Sequence, residues 1–142
     1  MTTNQIQLVK NSWSLLRNVK PEIVADTFYS KLFFDNPELR SMFPSDMKAQ
    51  YIKLMTMLNV VVARLEQLDT LAQDIADLAR RHKTYSVKAA HFTAVGGALL
   101  WTLERGLGND WTYPVANAWV ACYTILSDAM MAAMREEELV YA

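Results

Sequence analysis

Apolar residues recur at intervals near 3.6 along almost the whole chain, and only four glycines and four prolines interrupt its 142 residues. That period belongs to α-helices with one buried side, and no stretch alternates polar and apolar residues as a half-buried strand would. So few breakers leave no signal for a linker or a turn-rich sheet. The chain reads as one all-α domain spanning residues 1–142, without internal repeats. With 52% hydrophobic residues it has ample material for a packed core.

Thr2 with Gln5 has the form of a capping box, and Ile6, Val9, Trp13 and Leu16 mark the buried side of a first helix ending near Asn18. Pro21 suits the first turn of a second helix, where Val24, Phe28 and Leu32 form one apolar row and Ala25, Tyr29 and Phe33 the adjacent one. Two adjacent rows predict deep burial, with Tyr29 facing inward. Asn36 and Pro37 open a short helix that ends before Pro44 and leaves Phe43 at a corner. Ser45 or Asp46 can cap the next helix, whose inward face reads Gln50, Leu54, Met57 or Leu58, Val61 and Leu65, so that a glutamine heads an apolar row. Thr70 with Gln73 forms a second capping-box pattern. From about Val87, Phe92, Val95, Leu99 and Leu103 face inward as far as Gly106 and Gly108, a left-handed stop. Gly96 and Gly97 inside that helix weaken it locally and predict close approach by another helix or a ligand. Asn109 or Asp110 can cap a last helix with Val115, Trp119, Cys122 and Leu126 on one side and a fraying tail, REEELVYA.

Charge and cysteine usage narrow the function. Lysine and arginine number 14 against 15 acidic residues, so no basic field points to nucleic acid or to an anionic membrane surface. The single cysteine, Cys122, excludes an internal disulfide and a CxxCH haem attachment, and fits a reducing compartment. No apolar run has the length of a signal peptide or of a membrane span of roughly 18 residues, which predicts a soluble, cytoplasmic protein. Chemistry then concentrates at His82. Leu71, Ile75, Leu78 and His82 fall on one helical stripe, and an imidazole there serves either as a core histidine bonded to a carbonyl or as a metal ligand in a cavity beside the helix. On one continuous helix His91 would face the opposite way, so the two histidines could not clasp one metal. The eight methionines raise a His/Met cytochrome, but most sit at core-like positions where methionine fills gaps.

An ordered set of segments carries a resemblance: FYSKLFFDNPELRSMF, QYIKLMTMLNVVVARLEQL, LARRHKTYSV and FTAVGGALLWTLERGLG, with Ala118 and Trp119 following. Together with Trp13 they make the chain similar, over essentially its whole length, to single-domain bacterial globins, to the haem domain of flavohaemoglobins and to neuroglobin. The resemblance implies the globin fold, a three-over-three helical sandwich around a haem pocket, with haem b (iron protoporphyrin IX) as cofactor. It makes His82 the proximal iron ligand and Phe43 the corner phenylalanine that packs on the porphyrin; imidazole suits a fifth ligand and an aromatic suits a flat macrocycle. Tyr29 and Gln50 correspond to the distal residues that hydrogen-bond a bound diatomic ligand, and Leu54 to an apolar wall of that pocket. Taken singly, Tyr29 could instead bond a backbone carbonyl, and Gln50 could be an exposed residue at a helix start. Lys53 matches a position that contacts a haem propionate, with a plain surface lysine as the other account.

Two departures bear on activity. Flavohaemoglobins place a tyrosine and a glutamate behind the proximal histidine; here the tyrosine position is Phe92 and the glutamate position falls near Ala132 to Met134. The resulting ligand is less electron-donating. No GxGxxG or other dinucleotide motif occurs, so reducing equivalents must come from an external reductase. Gln50 stands where neuroglobin has a histidine, so bis-histidine ligation is not expected, while Tyr29 or Lys53 could bind ferric iron. The resemblance implies reversible binding of oxygen, with carbon monoxide and nitric oxide as further ligands. Nitric oxide dioxygenation is the enzymatic alternative, and a sensor the third. A monomer or weak homodimer is expected, without nucleic-acid or membrane partners.

Overall fold

The computed structural model describes the backbone over residues 1–81 and 89–141, and side chains over 1–77 and 89–133. Among the described residues six α-helices follow in order: α1 (Thr3–Leu16), α2 (Pro21–Asp35), α3 (Lys48–Ala63), α4 (Leu68–Arg81), α5 (Ala89–Leu107) and α6 (Tyr113–Tyr141). Short 3-10 turns occupy Pro37–Met42, Leu65–Gln67 and Gly108–Asp110, and no strand occurs among the described residues. Helix α2 packs on α5 and α3, α5 on α6, α4 and α1 on α6, and α1 on α3 and α5, an all-helical packing of the kind that the resemblance to globins implies.

Local chemistry accounts for where these helices begin and end. Thr2 caps α1, its Oγ1 accepting the Gln5 N–H at 3.0 Å while Gln5 Oε1 accepts the Thr2 N–H at 2.9 Å. Pro21 starts α2 with no side-chain cap. Asp46 Oδ1 accepts the Lys48 N–H at 3.0 Å and so supports the start of α3, although the N-cap itself is Met47. Two expected caps are corrected. The turn at Leu65–Gln67 runs directly into α4, which opens at Leu68 and leaves Thr70 inside the helix, so no capping box forms there. The last helix begins after Thr112, whose Oγ1 faces the Val115 N–H at 3.4 Å, because Asn109 and Asp110 are spent in the preceding 3-10 turn. Helix α6 continues through most of the REEELVYA tail, to Tyr141. Gly108 does adopt the left-handed conformation, with φ +54°.

The core is centred on two tryptophans. Trp13 is 3% exposed and Trp119 2% exposed, with ring centroids 6.0 Å apart. Each indole N–H finds an acceptor: Trp13 Nε1 donates to Oδ1 of the exposed Asn59 at 2.8 Å and Trp119 Nε1 to the buried Ser12 Oγ at 2.9 Å. These two bonds tie α3 and α6 to α1, satisfying polar atoms whose burial would otherwise be costly. Leu68, Leu71, Ala72 and Ala76 are buried on α4, the side expected from the stripe leading to His82. Among the described residues no helix is long and apolar enough to cross a membrane.

Candidate functional site

Tyr29 reaches its place because α2 buries two adjacent rows. It is only 5% exposed, and it stands in a nest of rings: Phe28 at 4.9 Å, Phe33 at 5.9 Å, Phe43 at 5.6 Å and Tyr51 at 5.6 Å between centroids. Phe43 also meets Phe33 edge to face at 5.3 Å. Its corner is held by Arg40, whose guanidinium donates to the carbonyls of Phe43, Pro44 and Ser45 at 3.3, 2.9 and 3.2 Å and lies over the Phe33 ring. One planar cation thus satisfies three carbonyls that the turn leaves outside any helix. Sequence reading missed this role, since an arginine inside NPELRSMF looks like a solvated charge; the nearby Pro44, which stops the helix, is the only hint of orphaned carbonyls.

Gln50 on the first turn of α3 is half-buried, and its Nε2 donates to Tyr29 Oη at 3.1 Å. Tyr29 is therefore not tied to a backbone carbonyl by this bond, and Gln50 is not a solvated helix start. As the acceptor, the phenol keeps its own O–H proton out of that bond. Burial pushes the Tyr29 hydroxyl above its ordinary range, against the smaller opposing effect of the Gln50 bond, so the group stays a neutral donor at physiological pH. Below the pair, Leu54 and Leu58 are half-buried and Val61 is 3% exposed, so the apolar row headed by Gln50 is present on α3.

Not every expected residue joins this group. Lys53 is exposed on α3. Phe92 lies half-buried on α5, and its carbonyl accepts a hydrogen bond from Tyr123 Oη of α6. The Tyr123 ring crosses α5 over Gly96, where an added Cβ would lie 2.6 Å from Tyr123 Cε1, so the close approach predicted at this glycine is made by a neighbouring helix. At Gly97 nothing comes within 4 Å. Of the glutamate position, Ala132 is exposed and Ala133 is 1% exposed. His82 lies outside the described residues, as does the side chain of Leu78.

Sequence reading also missed Tyr51 and Asp26. The two are 25 residues apart, and only the packing of α2 against α3 brings Tyr51 Oη to Asp26 Oδ1 at 2.7 Å. Burial, and next the bond to Asp26, push the Tyr51 phenol up to about 12. A cavity of about 180 Å³ opens beside it, lined in part by Glu22, Ile52, Met55 and Asn59.

Comparison with known proteins agrees with this architecture. The family model described as Globin matches residues 26–130. The chain is 30% identical over 139 residues to neuroglobin of Chaenocephalus aceratus, covering 87% of this chain and 86% of that one. It is 29% identical over 145 residues to neuroglobin-2 of Oncorhynchus mykiss, covering 92% and 90%. It is also 26% identical over 134 residues to a flavohemoprotein of Vibrio cholerae, covering 92% of this chain but only 34% of that longer protein.

Proposed function

The chain belongs to the globin family of haem-binding proteins, and on that premise we propose that it binds oxygen reversibly at haem b, which His82 would hold through the iron, with Tyr29 and Gln50 as donors to the bound ligand. The observation that carries the reading is the Gln50 Nε2 to Tyr29 Oη contact of 3.1 Å inside a ring-lined, largely buried corner. The described residues suit a flat apolar macrocycle: Phe33, Phe43, Leu54, Leu58 and Val95 are partly buried apolar side chains packed against the core. They include the one corner aromatic that the resemblance assigns to the porphyrin. Phe43 would hold the ring face, Leu54 would wall the distal side, Phe92 would contribute apolar surface from α5, and Lys53 would meet a propionate.

Haem, when bound, would supply an iron able to take up a diatomic ligand. The protein's contribution is electrostatic. Oxygen drawn to such a site gains negative charge, and a phenol O–H with an amide N–H already in place stabilises that charge without reorganisation. Carbon monoxide gains little charge, so the pair discriminates in favour of oxygen. Phe92 carries no hydroxyl with which to make the proximal imidazole more electron-donating, which favours binding over sustained peroxidase-like turnover.

Release of oxygen from the ferrous protein, followed by rapid mixing, tests the reading. Tyr29→Phe should speed release on the order of tenfold or more, the loss of one charge-assisted bond worth about 1.5–3 kcal/mol. Gln50→Leu should act in the same direction. Unchanged release in both variants would remove the donor role from this pair.

A second reading, nitric oxide dioxygenation, is favoured by the same donor pair and by similarity to flavohemoproteins over the matched third of their length. One nitric oxide, one oxygen and one electron give one nitrate, so each turnover needs an electron from an external reductase. Sustained nitrate formation with NADH and cell extract would support it; a single stoichiometric burst would leave oxygen binding alone.

A further inference from the structure

Tyr51 is not part of the donor pair, yet it is coupled to it. Its ring lies nearly parallel to that of Tyr29, with an interplanar angle of 8° and centroids 5.6 Å apart. The two phenols are chemically unequal. A phenol that loses an electron becomes a strong acid, so its oxidation is favoured where a base can take the proton. Tyr29 meets an amide N–H, which offers no base in that direction. Tyr51 already directs its proton at the exposed carboxylate of Asp26, 2.7 Å away. An oxidising equivalent that reaches Tyr29 should therefore settle on Tyr51.

We propose that Tyr51 and Asp26 form a redox-active phenol–carboxylate pair that supplies an electron, by way of the stacked Tyr29 ring, to an oxidant in the pocket. The proposal rests on the haem reading, since the oxidant is hydrogen peroxide reduced at the haem. Reduction of one peroxide to two waters consumes two electrons and two protons. Tyr51 supplies one of these electrons, haem bound in the pocket would supply the other, and solvent supplies the protons. As Tyr51 gives up its electron its O–H bond breaks, the proton joins Asp26, and a neutral phenoxyl radical remains beside a protonated carboxyl. The cavity of about 180 Å³ beside the ring gives small molecules access to it.

The test is freeze-quenched electron paramagnetic resonance of the full haem-loaded ferric chain after one equivalent of peroxide. A nitroso spin trap and peptide mass spectrometry then locate the radical. The expected result is a phenoxyl signal and a Tyr51 adduct, both lost in Tyr51→Phe. Asp26→Asn, which keeps the phenol and removes the base, should lower the yield at least fivefold. Both substitutions lie at partly or fully exposed positions, and an unchanged haem absorption spectrum verifies their folding. A signal that survives Tyr51→Phe, an adduct on another tyrosine, or no radical beside a normal haem spectrum overturns the proposal. If the chain fails to take up haem, the haem reading itself fails. The pair is then judged on the full chain by photochemical oxidation with a ruthenium tris-bipyridine complex and persulfate: dependence of the Tyr51 adduct on Asp26 supports it, and independence overturns it.

Discussion

Single side chains show how burial decides chemistry in this protein. Cys122 is 2% exposed, and burial pushes its thiol up to about 12. The thiolate is the nucleophile, so such a thiol is inert while the fold stands. Iodoacetamide at pH 8 should leave Cys122 unmodified in native protein and modify it fully in denaturant, as read by mass. Rapid labelling of the native protein would contradict its placement in the core. Tyr29 is the counterpart at the candidate site, a buried hydroxyl that stays protonated because charge is costly there and that accepts the Gln50 N–H without giving up its own proton. Much of this is legible one residue at a time. The inward turn of Tyr29 follows from the adjacent row on α2, and the corner position of Phe43 from Pro44. The Gln50 contact is not, because it depends on how α2 and α3 cross, and Tyr51 with Asp26 is hidden for the same reason.

At the scale of helices, the apolar rows on α1, α2 and α5 are readable because buried faces repeat at 3.6 residues. Ends are less readable where several polar residues compete for one cap. Thr70 has the chemistry of a cap but lies inside α4, and Thr112 displaces Asn109 and Asp110 as the start of α6. The paired glycines of α5 separate two effects that the sequence alone cannot. Gly96→Ala places a Cβ 2.6 Å from the Tyr123 ring, so either the ring or its bond to the Phe92 carbonyl must shift. Overpacking of this kind costs about 1–3 kcal/mol. At Gly97 the space is open, and Gly97→Ala should stabilise the helix by roughly 0.5–1 kcal/mol. Urea unfolding of the two variants should therefore shift in opposite directions. A shared direction would mean that helix propensity, not the α5–α6 contact, governs this turn.

For the molecule as a whole, the buried titratable groups act together on stability. Cys122 and Tyr123 both sit near 12 in the folded chain, against ordinary values of 9.0 and 10.0, chiefly because burial disfavours their charged forms; Tyr29 is displaced in the same direction. Between those limits the folded state holds protons that the unfolded state has released. Their contribution is thus fully present below pH about 9 and is lost as pH rises toward 12. Unfolding free energy measured in urea should be level between pH 7 and 8.5 and then fall steadily, whereas a flat profile to pH 11 would show these groups to be hydrated. The helical class could be anticipated from periodicity, because buried faces repeat at the helical interval, whereas the packing of the helices came only from the resemblance, since one buried face does not say which helix covers it. The haem assignment adds a demand that periodicity cannot express, a single imidazole able to hold the iron, and it places that demand on His82. Its most direct test is the absorption spectrum of the ferrous protein, loaded with haem b, with and without carbon monoxide. The parent should take up one haem per chain and give a sharp carbon monoxide complex, His82→Gly should lose normal axial ligation, and added imidazole should restore it. Identical spectra for the parent and His82→Gly in the absence of imidazole would contradict the account.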